Sequence, residues 1–204
     1  MKIAIIKYNA GNVQSVLFAL ERLGVQAILT DNISEIISAD KVIFPGVGEA
    51  SSTMKHLKKS CFDKIIPALK QPVLGICLGM QLMCEHSEEG DTKCLGIFNL
   101  NVKKFIASPD LSKGEGIVKF KIPHIGWNTI YNLQSPLFNG VSENSFMYFV
   151  HSFFVESGKH TAATTDYITK YSSALQKNNF YAVQFHPEKS GEAGQKILEN
   201  FLNL

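Results

Sequence analysis

A cysteine set between glycines carries the sharpest chemical signal in the chain: Gly75-Ile76-Cys77-Leu78-Gly79. Small residues on both sides of a nucleophile allow a tight strand-to-helix turn that holds its side chain out above a sheet. A helix N-terminus behind such a turn lowers a thiol pKa and offers unpaired N–H groups to a developing oxyanion. A free thiol is only about a few per cent ionised at neutral pH, so this cysteine needs a base. Of the histidines, His56 sits among lysines and His86 follows Glu85, and both read as surface positions. His160 follows Lys159 in a turn, and His124 and His151 fit structural roles as well as chemical ones. His186 differs, because Gln184-Phe185-His186-Pro187-Glu188 follows the apolar run Tyr181-Ala182-Val183. At a strand terminus, with proline between them, His186 and Glu188 can point to the same side. The carboxylate then holds one imidazole nitrogen and leaves the other for the thiol, which is the logic of a triad.

Other chemistries find little support. No two Cys or His residues stand at zinc-ligand spacing, and no metal or cofactor is expected. Gly46-Val47-Gly48 lacks the third glycine of a dinucleotide loop and the lysine of a phosphate loop. The stretch Pro45-Gly46-Val47-Gly48 is either a plain turn or adaptable backbone whose Val47 amide serves as a second oxyanion donor.

The elements that must position these residues read as alternating strand and helix. Apolar runs at 3–6, 25–29, 41–44 and 73–76 are strands, the third stopped by Pro45-Gly46 and the last running straight into Cys77. Val13, Val16, Leu17, Leu20 and Leu23 fall at helical spacing, with Gly24 placed to cap the helix end. Met54 and Leu57, then Phe62, Ile65, Ile66 and Leu69, mark further helical segments, and 80–83 is helical behind the cysteine. This alternation predicts a three-layer α/β fold with a largely parallel central sheet. After residue 99 the pattern changes: strands at 99–106, 146–150, 161–164, 173–175 and 181–185 have few helices between them, and 108–116 is a loop. A mixed or antiparallel extension follows, and Ile197, Leu198, Phe201 and Leu202 form a closing helix. No repeat or linker divides the 204 residues, so a single domain over 1–204 is expected.

Composition narrows the partners. With 45% hydrophobic and 19% charged residues and a formal charge of +2, the chain has no electrostatic footprint for nucleic acid or an anionic membrane. No secretory leader or spanning segment is visible, and Cys61, Cys77, Cys84 and Cys94 are expected as thiols in the cytoplasm.

Taken together, Pro-Gly-Val-Gly at 45–48, Gly-x-Cys-Leu-Gly-Met-Gln at 75–81 and His-Pro-Glu at 186–188 resemble the class I, triad-type glutamine amidotransferases, with their flavodoxin-like sheet. Within that class the chain is similar, over essentially its whole length, to the glutaminase subunits of imidazole glycerol phosphate synthase. That likeness rests on Tyr8-Asn9-Ala10-Gly11-Asn12, Pro45 to Ala50, Pro123-His124-Ile125-Gly126-Trp127-Asn128, Tyr148 to Ser152 and Gln184 to Ser190. The resemblance implies that Cys77 attacks the side-chain amide of L-glutamine while His186, oriented by Glu188, moves the proton. It implies oxyanion donors at Val47 and Leu78, and glutamine contacts at Gly48, Gln81, Ser152 and Phe153. It places Asn12, His124, Trp127 and Lys189 at a partner interface or along an ammonia route. The family often has methionine where Ile125 stands and tyrosine where Phe153 stands, so any contact from Phe153 comes from its backbone or ring.

Only 18 residues follow His186, too few for an ammonia-using domain, so the acceptor site is expected on another polypeptide. By resemblance that partner is a (β/α)8-barrel cyclase forming imidazole glycerol phosphate and AICAR in histidine biosynthesis. The Val47 amide is then expected to turn away from the oxyanion site until the partner's site is filled. Three rivals remain open at this level: an amidotransferase subunit for another acceptor, a non-catalytic docking module, and a stand-alone γ-glutamyl hydrolase.

Overall fold

The structure, a computed structural model, describes residues 1–8, 13–106 and 120–204. The loop expected at 108–116, and most of the Tyr8–Asn12 motif, lie outside the described residues. The first half runs β1 (Ile3–Ile6), α1 (Gln14–Arg22), β2 (Ala27–Thr30), α2 (Ile33–Ile37), β3 (Lys41–Gly46), α3 (Ala50–Lys59), α4 (Phe62–Ala68), β4 (Val73–Cys77) and α5 (Leu78–Leu82). The second half runs β5 (His86–Ser87), β6 (Thr92–Lys93), β7 (Asn101–Lys104), β8 (His124–Ile130), β9 (Ser145–His151), β10 (Phe153–Val155), β11 (Thr161–Asp166), β12 (Lys170–Lys177), β13 (Phe180–Val183) and α6 (Gly191–Leu202).

Among the described residues eleven strands join one sheet, in the order β2-β1-β3-β4-β13-β12-β10-β7-β5-β6, with β11 on β12. From β2 to β13 every pairing is parallel, and beyond β13 the sheet turns mainly antiparallel. The parallel strands are buried on both faces, which is why they read as continuous apolar runs. One apolar layer joins α1 and α6 to the sheet through Val16, Leu20, Ile197 and Phe201. The opposite layer uses Ile36, Leu57, Ile66 and Leu82 from α2 to α5.

Three boundaries differ from the pattern for identifiable reasons. The second strand starts at Ala27 rather than Val25, because Val25 N–H donates to Leu20 O at 3.0 Å and closes the end of α1 around Gly24, whose φ is +73°. The third strand does not stop at Pro45. Its pairing with β1 ends at Ile43, while Pro45 and Gly46 continue in register with Ile76 and Cys77. With no neighbour on the β1 side, the missing proline N–H costs no ladder bond there. Helix α2 is only five residues long, with Ile33, Ile36 and Ile37 at helical spacing, and is capped by Asn32, whose Oδ1 accepts from Ser34 N and Glu35 N.

Strands β8 and β9 form a separate two-stranded sheet. Its inner face gives Met147, Phe149 and Ile130 to the core, while Ile125, Trp127 and Phe146 on the outer face are 60%, 55% and 61% exposed. No helix among the described residues is long and apolar enough to cross a membrane.

Candidate active site

The nucleophile is placed by the junction of β4 and α5. Cys77 has φ 54° and ψ −111°, a conformation that costs a side-chain-bearing residue about 1–3 kcal/mol. Close backbone packing imposes it. A Cβ on Gly79 would stand 2.0 Å from the Phe44 carbonyl oxygen, and one on Gly46 would stand 2.5 Å from Gly79 N. Both positions therefore exclude any side chain, and α5 lies backbone to backbone on β3. This contact brings Leu78, the first residue of α5 with an N–H free of helix bonding, beside the segment that carries Val47.

The base arrives from the end of β13. Gln184 N–H still donates to Ser173 O, and His186 N–H then donates to Tyr148 O of β9 at 2.9 Å. Pro187–Lys189 forms a 3₁₀ turn, and that turn, rather than strand alternation, brings Glu188 onto the side of His186. Glu188 Oε1 lies 2.8 Å from His186 Nδ1, with the two side chains 3% and 8% exposed. Ser190 Oγ donates to His186 O at 2.6 Å and accepts from Tyr148 N, tying the turn to β9. Burial pushes the imidazole pKa down. The hydrogen bonds to Cys77 and Glu188, together with their negative charges, outweigh this and hold it well above the ordinary histidine value. The arrangement favours the protonated form of the His186 imidazole.

Around the thiol lies a cavity of about 370 Å³, lined by Val47, Gly48, Leu78, Gln81, Ser152, Phe153 and Lys189 together with Cys77 and His186. That size suits a small ligand. The oxyanion and glutamine-contact residues expected from the sequence are thus brought together. Gln81 is tied down within the wall: its Nε2 donates to Phe153 O and to Gln184 Oε1, both at 2.9 Å, which leaves its own carbonyl oxygen for a ligand N–H.

Two residues without a role in the sequence reading also meet here. Glu89 lines the cavity, is half-buried, and accepts from Ala50 N–H at 2.7 Å, while burial pushes its pKa up. Gln184 is fully buried, with Nε2 3.7 Å from Cys77 Sγ. Glu89 stands in a Ser-Glu-Glu-Gly-Asp stretch that reads as a solvated turn, so nothing local marks it.

The residues expected at an interface divide. Trp127 is exposed beside Tyr148, with ring centroids 5.9 Å apart. Lys189 is exposed at the cavity rim, and Asn12 lies outside the described residues. His124 meets a contrary observation only on the docking half of the expectation. It is 3% exposed and points inward between the rings of Tyr167 and Phe149, so its side chain offers no docking surface. Alternation explains this, since Ile125 and Trp127 take the outer face of β8 and leave His124 on the inner one. Among the described residues no group of three or more His, Cys, Asp or Glu could hold a metal ion.

The family model for class I glutamine amidotransferases matches residues 4–204 of this sequence. The chain belongs to the class I glutamine amidotransferase family. Among its curated relatives, "Imidazole glycerol phosphate synthase subunit HisH" of Bacteroides fragilis strain YCH46 is 58% identical over 204 residues, covering 100% of both chains. The protein of that name from Pasteurella multocida strain Pm70 is 45% identical over 201 residues, covering 98% of this chain and 96% of its own. In fold, this amidotransferase chain is similar to a crystal structure titled glutamine amidotransferase, with TM-score 0.71, 14% identity, and coverage of 98% of this chain and 97% of the other. A glutamine amidotransferase structure from Thermotoga maritima gives TM-score 0.62 at 14% identity, covering 100% of this chain and 83% of that one.

Proposed function

We propose that the chain is the glutaminase subunit of imidazole glycerol phosphate synthase in histidine biosynthesis, acting in the cytoplasm as one amidotransferase domain over 1–204. The observation that carries the chemistry is the buried His186–Glu188 pair held against the Cys77 thiol at the mouth of a small cavity. The pathway rests on full-length relatives bearing that subunit's name.

In this reading the Cys77 thiolate attacks the side-chain carbonyl carbon of L-glutamine, and the Leu78 and Val47 N–H groups receive the oxyanion. The imidazolium of His186 protonates the departing nitrogen, which leaves as ammonia, and a γ-glutamyl thioester remains on sulfur. His186 then takes a proton from water. Hydroxide displaces the sulfur, giving glutamate and the free thiolate, while Glu188 holds the imidazole through both steps. Gly48, Gln81, Ser152 and Phe153 contact the bound glutamine, and the Glu89 carboxylate suits its α-ammonium group. Ammonia passes to a separate (β/α)8-barrel cyclase, for which the exposed Ile125 and Trp127 face of β8 is the docking surface.

Glutamate release tests this, measured on the subunit alone and mixed with its cognate cyclase, with and without the nucleotide substrate. Cys77→Ala serves as the blank. Strong stimulation by the loaded cyclase is expected. High activity indifferent to the cyclase would instead assign a free-standing hydrolase, and silence in every mixture would assign another acceptor.

A further inference from the structure

Between the thiol and the outer hairpin runs a line of buried polar groups that the triad chemistry leaves unused. Starting at the sulfur, Gln184 Nε2 lies 3.7 Å from Cys77 Sγ, and Gln184 Oε1 lies 2.9 Å from Gln81 Nε2. Gln81 Nε2 also meets Phe153 O at 2.9 Å, and that same carbonyl lies 2.7 Å from His151 Nδ1. His151 Nε2 in turn lies 3.1 Å from His124 Nδ1, with the Tyr171 hydroxyl 3.3 Å away.

Donor and acceptor types admit one polarity along this line. The Phe153 carbonyl can only accept, so Gln81 Nε2 and His151 Nδ1 both carry the hydrogens that point at it. Reversing the Gln81 amide would set its oxygen against two acceptors. With Gln81 as donor, the atom of Gln184 that faces it must be Oε1, and this turns the Gln184 N–H toward the sulfur. His151 then has an unprotonated Nε2, which accepts from His124 Nδ1–H. Burial holds both imidazoles neutral, pushing His151 down to about 3 and His124 down to about 4.

We propose that Gln184 donates its side-chain N–H to the Cys77 sulfur and favours the thiolate. The inference rests on the glutaminase reading only in taking this thiolate as the nucleophile. It gives the sulfur a second donor opposite a competing acceptor: the Val150 carbonyl, 3.7 Å from Sγ, favours the thiol. The ionisable groups facing the sulfur are His186 and, more distantly, Tyr8, with Glu89 and Lys189 on the cavity wall.

Alkylation by iodoacetamide reads the thiolate directly and needs no glutamine. Cys61, the exposed thiol, is first replaced by serine so that the signal comes from Cys77; burial pushes the Cys84 and Cys94 thiols up and slows them. In that background Gln184→Met keeps the shape and removes the donor. The pH midpoint of alkylation should rise by about one unit. An unchanged profile in Gln184→Met overturns the proposal. If Gln184→Met loses its near-ultraviolet circular dichroism on misfolding, Gln184→Leu, which also lacks a donor, decides in its place. Failure of the glutaminase reading would appear elsewhere, as absent glutamate release by the parent chain with its loaded partner.

Discussion

Acid should unfold this chain through His124 and His151. Both imidazoles are buried and neutral in the fold, with pKa values pushed down from 6.5 to about 4 and about 3. Unfolded, each reverts to about 6.5, so below that pH the unfolded state binds two protons that the folded state refuses. Stability is therefore full above about pH 6.5 and is lost as pH falls toward the folded values. Over the 1.5 units from 6.5 to pH 5 the loss is about 2 kcal/mol per histidine, or about 4 kcal/mol for the pair. His186 acts in the opposite sense. Its raised pKa stabilises the fold fully below 6.5, so the same acidification returns less than about 1 kcal/mol. The net loss, about 3 kcal/mol, is a large part of the ~5–15 kcal/mol that holds a domain together. Glu49 and Glu156 are held below the usual carboxylate range and titrate at lower pH, while Glu89, whose pKa burial pushes up, acts equally in parent and variant and cancels in their comparison. The assay is urea unfolding at pH 7 and pH 5 on the parent and on a His124→Gln, His151→Asn double variant. The parent should lose about 3 kcal/mol and the variant almost none. Equal losses in the two would refute the neutral, buried assignment of this pair, whatever the variant's stability at pH 7.

Three further outcomes follow from the geometry. Glu188→Gln removes the charge that supports the imidazolium, so partner-stimulated glutamate release should fall about 10²–10⁴-fold; parent-like turnover would remove Glu188 from the chemistry. Gly79→Ala places a Cβ 2.0 Å from the Phe44 carbonyl oxygen and should cost about 3 kcal/mol or more in urea unfolding. A midpoint equal to the parent's would show that β3 and α5 separate freely. Trp127→Ala should weaken the cyclase complex about 10–100-fold by calorimetry while leaving the thermal midpoint near the parent's, and unaltered affinity would move the docking surface off β8.

What the sequence displays depends on how local each cause is. The thiol elbow was legible because its glycines are demanded by contacts within a few residues and one neighbouring strand. His186 and Glu188 were legible as a pair, although the device that joins them is a 3₁₀ turn. The capping pattern Asn32-Ile33-Ser34-Glu35 marks α2, whose Ile33, Ile36 and Ile37 are too few for periodicity alone to single it out. Glu89 could not be found from its neighbours, because it meets the cavity only through the packing of its loop on the start of α3. The orientation of Gln184 is equally hidden. It is decided by a carbonyl at 153 and an amide at 81, and nothing in the strand that carries it specifies a direction.

The hairpin of β8 and β9 is a wall with two sides. On one side Ile125 is paired with Val150, whose carbonyl meets the thiol, and Tyr148, paired with Trp127, holds the backbone of His186. A molecule seated on Ile125 and Trp127 would rest on the cross-strand partners of the two residues whose backbone meets the thiol and His186. An inhibitor aimed at the outer face therefore need not resemble glutamine. It would lower kcat at saturating substrate, and glutamine could not wash it out.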